Sequence, residues 1–511
     1  MDFRVTEQDI AVNGSVFSQT VEQAIDTDFT LPDYCPDISR ILKCRVTPRI
    51  NSSAVTGGML TIEGTAYICL IYADEEQGDI NSFEYPWSFT KTVETEPDID
   101  GAVKVKAKTE FINCRAVSSR RVDIHGAMSL DIKMNRKCRR NIVCDIDAEG
   151  VQMLRENVSM TSQIGDAEKY VIINDDMTLP EDEPSIRTII RSDANAAVTD
   201  CKIVSNKAVI KGDLAVSVLY SSDVDRALHV FENVLPISQI VDIEGINEDC
   251  CCVIDADVIT LDVKPRTGMN GETRAIGLSA KILISITAYC NAEVPVMYDV
   301  YCTKCGVNCE KDAVTFERMA SEIRESFECK KSLDLPADSI ATVLDMWCDS
   351  SVDTVKCEDK KLIIGGQVVI CMLGENSEGS PAYFERPVDY EYSHDLETTL
   401  EDYRCSPSVV SLASSYNMTS PTSVEVKVEL NISAQVFEIF KKNVIVSAEA
   451  NEEEINDAMS RAALIIYYAE AGEKLWDIAK FYNTSIEEVM SLNGISEEVL
   501  SENAMLLIPS V

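Results

Sequence analysis

Residues 30–42 read TLPDYCPDISRIL, and 148 positions later residues 178–190 read TLPEDEPSIRTII. The first stretch leads into LTIEGTAYICLIY, ending at Tyr72, and the second into AVIKGDLAVSVLY, ending at Tyr220. The copies stay in register without a gap, so Pro36 matches Pro184, Ile38 matches Ile186, Gly64 matches Gly212 and the tyrosines coincide. A third copy, DLPADSIATVL from Asp334 and LIIGGQVVICMLG ending at Gly374, aligns once two residues are deleted, which removes its second proline. A repeat of about 150 residues is the size of an independent domain and too long for a solenoid turn.

Each unit reads mostly as antiparallel strand. Runs rich in Val, Ile, Tyr and Thr alternate with polar residues in RVDIHGAMSLDIKM, GLSAKILISITAY and SVEVKVELNISAQVF, and turn residues such as TGG and DEEQGD separate them. The i, i+3, i+4 spacing of Ile38, Ile41 and Leu42 behind a proline predicts one short helix near the start of the unit. The expected fold is mainly β, with tandem antiparallel sandwich-like units over residues 1–148, 149–305 and 306–449, the last divergent.

The acidic stretch NEEEINDAMSRAAL reads as a helical connector over residues 450–463, and residues 464–511 form a different, small α+β unit. LIIYYAE reads as a strand and Gly472 as a turn. Leu475, Ile478, Ala479 and Tyr482 then lie on one helical face, Ser485 and Glu488 form a capping box, Asn493-Gly494 ends a second helix, and MLLIP closes with a strand.

Composition narrows the partners. A formal charge of −40, from 86 acidic and 46 basic residues, opposes binding to nucleic acid or anionic lipid, because both depend on clustered Lys and Arg. No apolar stretch is long enough for membrane insertion, and the charged opening MDFRVTEQDI lacks the core of a signal peptide, so a soluble intracellular chain is expected. Nineteen scattered cysteines in a chain of this size read as reduced thiols. Cys302, Cys305 and Cys309 have ligand-like spacing but no fourth ligand nearby, and Cys250, Cys251 and Cys252 open a strand-like run as small hydrophobes; no metal or cofactor is expected. His125, His229 and His394 occupy no matched position beside a nucleophile, and the acidic Asp33, Asp37, Glu181 and Glu183 read as solvated loop carboxylates. The positions shared between copies are prolines, glycines and apolar residues, which points to a structural or interaction protein and not to an enzyme.

The βααβ pattern from Tyr467 to Pro509, Y-x4-G-x2-L-x2-IA-x2-Y followed by S-x3-V, N and L-x-IP, resembles a LysM domain. It departs at Glu473-Lys474, where Asp-Thr is usual, and at Asn503, where glycine is common. The long units, with their LP-x3-PDI opening and V-x-G-x6-LY strand, resemble the SPOCS domain of spore-forming bacteria, and three of them followed by one LysM resemble the SipL family of spore morphogenesis proteins. The resemblance implies a mother-cell protein, cytoplasmic and recruited to the forespore surface, that binds a SpoIVA-like coat ATPase and other coat proteins, encases the spore in coat and supports cortex formation. The alternative is a peptidoglycan-binding protein of cortex or wall.

The contact surface expected on the LysM unit comprises Gly472, Glu473, Lys474, Leu475, Trp476, Phe481, Asn493, Gly494 and Ile495. Trp476 and Phe481 each lie about 110° from the centre of the apolar helical stripe at 100° per residue. Both are therefore expected to stay exposed and to serve as interface anchors.

Overall fold

The computed structural model describes residues 3–95, 102–268, 271–336, 340–451 and 464–509. The first unit runs through β1 (Arg4–Thr30), β2 (Ile38–Thr56), β3 (Met59–Asp74), β4 (Ile80–Glu94), β5 (Ala102–Ala116) and β6 (Arg121–Asp147). The second repeats this as β7 (Val151–Thr178), β8 (Ile186–Val204), β9 (Lys207–Ser222), β10 (Leu228–Asp242), β11 (Cys250–Thr267) and β12 (Thr273–Cys302). The third contains β13 (Gly306–Asp334), β14 (Thr342–Glu358), β15 (Lys361–Glu375), β16 (Pro381–Asp395), the short β17 (Tyr403–Cys405), β18 (Ser408–Ser420) and β19 (Ser423–Asn451). In each unit a long antiparallel sheet, ordered β1-β6-β5, β7-β12-β11 or β13-β19-β18, faces a shorter one, ordered β2-β3-β4, β8-β9-β10 or β14-β15-β16.

The repeated residues explain the shape. Gly64 sits opposite Ile50, where the register of β2 slips by one residue, and Gly212 and Gly366 sit opposite the same bulge at Val198 and Val352. A Cβ on Gly64 would lie 2.8 Å from the Arg49 carbonyl, and one on Gly212 would lie 2.4 Å from that of Ala197. Glycine lets the bulged backbone cross this closely. Tyr72 and Tyr220 are fully buried; the Tyr72 hydroxyl donates to the Pro36 carbonyl (3.2 Å), and the Tyr220 hydroxyl, which donates to Glu183 (3.0 Å), lies 3.4 Å from the Pro184 carbonyl. In the third unit Gly374 stands at that position and Ile340, 2% exposed, fills the space.

The helix expected around Ile38, Ile41 and Leu42 is a strand. Register shifts between Ile38 and Arg40 and between Ile41 and Lys43 interrupt the strict alternation of β2 and mimic helical spacing. Ile41 packs into the sandwich core of its own unit, whereas Leu42 faces a cluster shared by all three units.

That cluster is one of three junctions. The short sheets meet around Ile71, Leu219 and Leu373, and the long sheets meet around Val143, Met297 and Ile445 and around Ile142, Val296 and Val444. Matching positions of the three units thus converge. Beside the short-sheet junction lies a charge network in which Arg45 donates to Asp193 (2.6 Å) and Asp349 (2.7 Å), and Arg191 bonds Asp345 (2.8 Å) and Asp193 and stacks 4.8 Å over the Trp347 ring. The Arg191 and Asp345 side chains are 4% and 1% exposed. Burial would raise the Asp193 carboxyl, but Arg45 and Arg191 hold it below its ordinary range. Positions 45, 193 and 347, all in register with their own short sheet, carry Arg, Asp and Trp, so the three copies are not interchangeable around the junction.

The final unit consists of β20 (Leu464–Ala469), α1 (Leu475–Phe481), α2 (Ile486–Asn493) and β21 (Ala504–Pro509), with β20 and β21 antiparallel. The connector expected over 450–463 lies outside the described residues, apart from Ala450 and Asn451, which end β19.

Candidate functional site

The βααβ unit folds as its pattern requires. The Ser485 hydroxyl accepts from the Glu488 N–H at the start of α2, Gly494 adopts φ 64° at its end, and the Asn493 amide bridges Val489 and Leu507. Lys474 caps α1 without a side-chain hydrogen bond. The stretch after β20 is closed by backbone pairing: Gly472 donates to Leu500, Leu475 to Glu498 and Leu500 to Glu473. The Glu473 carboxylate accepts from the Tyr467 hydroxyl and the Glu470 N–H, both at 2.9 Å, and Asn503 accepts from the Ala471 N–H at 2.8 Å. Two of the three departures from the family pattern, Glu473 and Asn503, therefore act as internal ties of this turn, whereas Lys474 makes no capping bond.

Of the expected surface residues, Phe481 is 67% exposed and Gly472, Lys474 and Gly494 are exposed, whereas Glu473, Asn493 and Ile495 are half-buried. Leu475 is core, and the expected exposure of Trp476 is corrected: it is 7% exposed. Its cover comes from the second SPOCS-like unit. The indole Nε1–H donates to Asp299 Oδ2 at 2.8 Å, Lys480 Nζ reaches the same oxygen at 2.6 Å, and the ring meets Tyr301 edge-on at 5.1 Å. The Tyr301 hydroxyl donates to the Thr484 carbonyl at 2.8 Å, within a cluster that also takes in Leu154. Burial works against the ionised Asp299, but the bonds from Lys480, Trp476 and Lys311 outweigh it and hold the carboxyl below its ordinary range.

Asp299 and Tyr301 are not among the residues the sequence singles out, because the module's own pattern specifies only its own core as cover. A signal was present in the repeats. At the positions equivalent to 299 and 301, aligned through the long-sheet junction, the first unit has Asp145 and Asp147 and the third has Ser447 and Glu449. The second unit alone pairs a carboxylate with an aromatic ring, the combination that an indole and an ammonium require.

Other polar groups are ordered into the framework. Arg120 bonds the carbonyls of Leu31, Pro32 and Cys35 and the Asp37 carboxylate, so Asp37 is paired and its carboxyl is lowered. Arg274 reaches the Pro180 carbonyl in the second unit, where Glu183 accepts from Tyr220. A cavity of about 760 Å³ opens between the units, and its Arg45 and Arg191 are already paired with Asp193, Asp345 and Asp349. His394 Nε2 lies 2.9 Å from Ser321 Oγ, but its Nδ1 is 3.8 Å from Glu325, too far for the orienting hydrogen bond of a nucleophilic triad. Among the described residues no three His, Cys, Asp or Glu side chains come together as a metal site, and no helix is long and apolar enough to cross a membrane.

The chain is thus a β-rich protein of three repeated units with a small βααβ module seated on the middle one. Comparison with known families matches the SipL SPOCS domain to residues 37–117 and 185–266 and the LysM domain to residues 467–509. The chain carries SPOCS domains of the SipL type and a C-terminal LysM domain, which mark a sporulation-related protein with a peptidoglycan-binding-type module. Both are non-catalytic domain families. No curated protein and no solved structure matches the chain.

Proposed function

We propose that this protein is a non-enzymatic scaffold of spore-envelope assembly. Its SPOCS units form the framework, and its LysM domain docks a SpoIVA-like coat ATPase on the forespore surface, reached from the mother-cell cytoplasm, so that coat encases the spore and cortex formation is supported. The observation that carries this reading is the seat of Trp476. The indole, a flat surface suited to stacking on a sugar, is turned inward onto Asp299 and Tyr301, and the module is built into the framework instead of swinging free of it. The backbone donors of Gly472, Leu475 and Leu500 are likewise committed internally and are withdrawn from an extended glycan.

Affinity purification of the intact chain from sporulating cells, read by mass spectrometry, tests the proposal: the coat ATPase is expected as the main co-purifying protein. Retention of the chain on insoluble peptidoglycan, with no coat protein enriched, supports the second reading, a cortex or wall glycan binder. One feature favours that alternative: Phe481, 67% exposed on α1, is an aromatic face still open to a sugar.

A further inference from the structure

The LysM sheet is apolar on both sides. Ala469, Leu506 and Ile508 point into the module's own core, with Ile465 and Tyr467 partly buried against it. Strand alternation sends Leu464, Ile466 and Tyr468 to the opposite face, beside Met505, the direct partner of Tyr468. These four are 47%, 56%, 76% and 56% exposed. Together they leave roughly 400 Å² of neighbouring apolar surface, within the range of the largest apolar patch on a typical single chain, which is often functional.

The surroundings limit what can cover it. Glu470 follows β20 and Glu502 precedes β21, bordering the Tyr468 end, and the described LysM residues hold eight carboxylates against Lys474 and Lys480, of which Lys480 is bound to Asp299. A second copy would set this acidic border against itself in a chain of formal charge −40. Self-association through it would therefore be repelled. A protein that brings an apolar strip flanked by Lys or Arg gains from both features.

We propose that the outer face of the β20–β21 sheet, carrying Leu464, Ile466, Tyr468 and Met505, is the docking surface of the LysM domain for a partner protein that presents an apolar strip bordered by basic residues. This rests on the adaptor reading above, under which the partner is the coat ATPase, and it moves the contact from the α1 face to the sheet. The test is calorimetric titration of the intact chain with purified coat ATPase. It compares the wild type with Ile466→Thr/Tyr468→Thr, which keeps strand propensity, and with Phe481→Ser on α1. Loss of two central anchors is expected to weaken binding about 30-fold or more, whereas Phe481→Ser stays within about threefold. Rising salt is expected to weaken the wild-type complex. Unchanged melting temperatures show that the variants are folded. Should the double variant melt early, Tyr468→Phe and Met505→Lys give the same reading at single positions, near-neutral for the first and weakening for the second.

Wild-type affinity retained by the folded double variant overturns the docking face while leaving the adaptor role standing. No binding by the wild type overturns the adaptor role itself. Reversible dimerisation of the intact chain that is abolished by the double substitution assigns the face to a second copy and refutes the proposal.

Discussion

Replacing Asp299 by alanine tests how the LysM domain is held. The carboxylate is 16% exposed and accepts from Trp476 Nε1, Lys480 Nζ and Lys311 Nζ. Lys311 lies on β13 of the framework, so its pair with Asp299 is the same whether the module is seated or not, whereas Lys480, 41% exposed, regains water and contributes at most about 1 kcal/mol to docking. The indole N–H is different, because Trp476 stays against Tyr301 in the docked state and would lose its acceptor inside an apolar contact. A buried donor left without a partner costs about 1–3 kcal/mol. The sum is about 3 kcal/mol off the docking equilibrium, or roughly 100-fold more frequent opening. Hydrogen exchange of the Trp476 indole N–H, followed by NMR in the intact protein, reads this directly, since Trp87 and Trp347 serve as internal references. The protection factor of Trp476 alone is expected to fall by about two orders of magnitude. Unchanged protection would mean that Asp299 does not hold the module, and the account of the seat would be wrong.

The same carboxylate sets a pH dependence. Its folded value is depressed, so its contribution is complete above the ordinary carboxylate range of about 4 and is lost as pH falls through the lower folded value. Trp476 protection, corrected for intrinsic exchange, should therefore be flat from about pH 5 to 8 and collapse only below about pH 4. At the short-sheet junction, Arg191→Met leaves the Asp345 side chain, 1% exposed, without its partner, and chemical denaturation should show a loss of about 3–5 kcal/mol. Gly212→Ala forces a Cβ to 2.4 Å from the Ala197 carbonyl, and a loss of about 1–3 kcal/mol is expected in the same assay, although the alanine side chain is small.

The repeat and the βααβ pattern were legible in the sequence because both rest on local rules. Gly64 and Gly212 match because each unit needs one residue without a Cβ beside its bulge, and Ser485 and Gly494 cap α2 by contacts within four residues. The bulges themselves were not legible. They slipped the alternation of β2 into a helical spacing at Ile38, Ile41 and Leu42, and a fully paired strand read as a helix. Leu42 and Ile71 belong to a junction built from three units, so their burial depends on chain lying more than 100 residues away. The same holds for Trp476: its angle places it outside the module's own stripe, but its cover comes from Asp299 and Tyr301, 177 and 175 residues earlier.

The central claim, that this LysM domain serves a protein and not a glycan, is tested most directly by competition. Intact chain bound to purified coat ATPase is titrated with soluble peptidoglycan fragments, with the fraction of complex followed throughout. The account predicts a complex that persists at saturating fragment and fails to form with the Ile466→Thr/Tyr468→Thr variant. Displacement of the ATPase by the glycan fragments, or glycan binding with no complex at all, would contradict it.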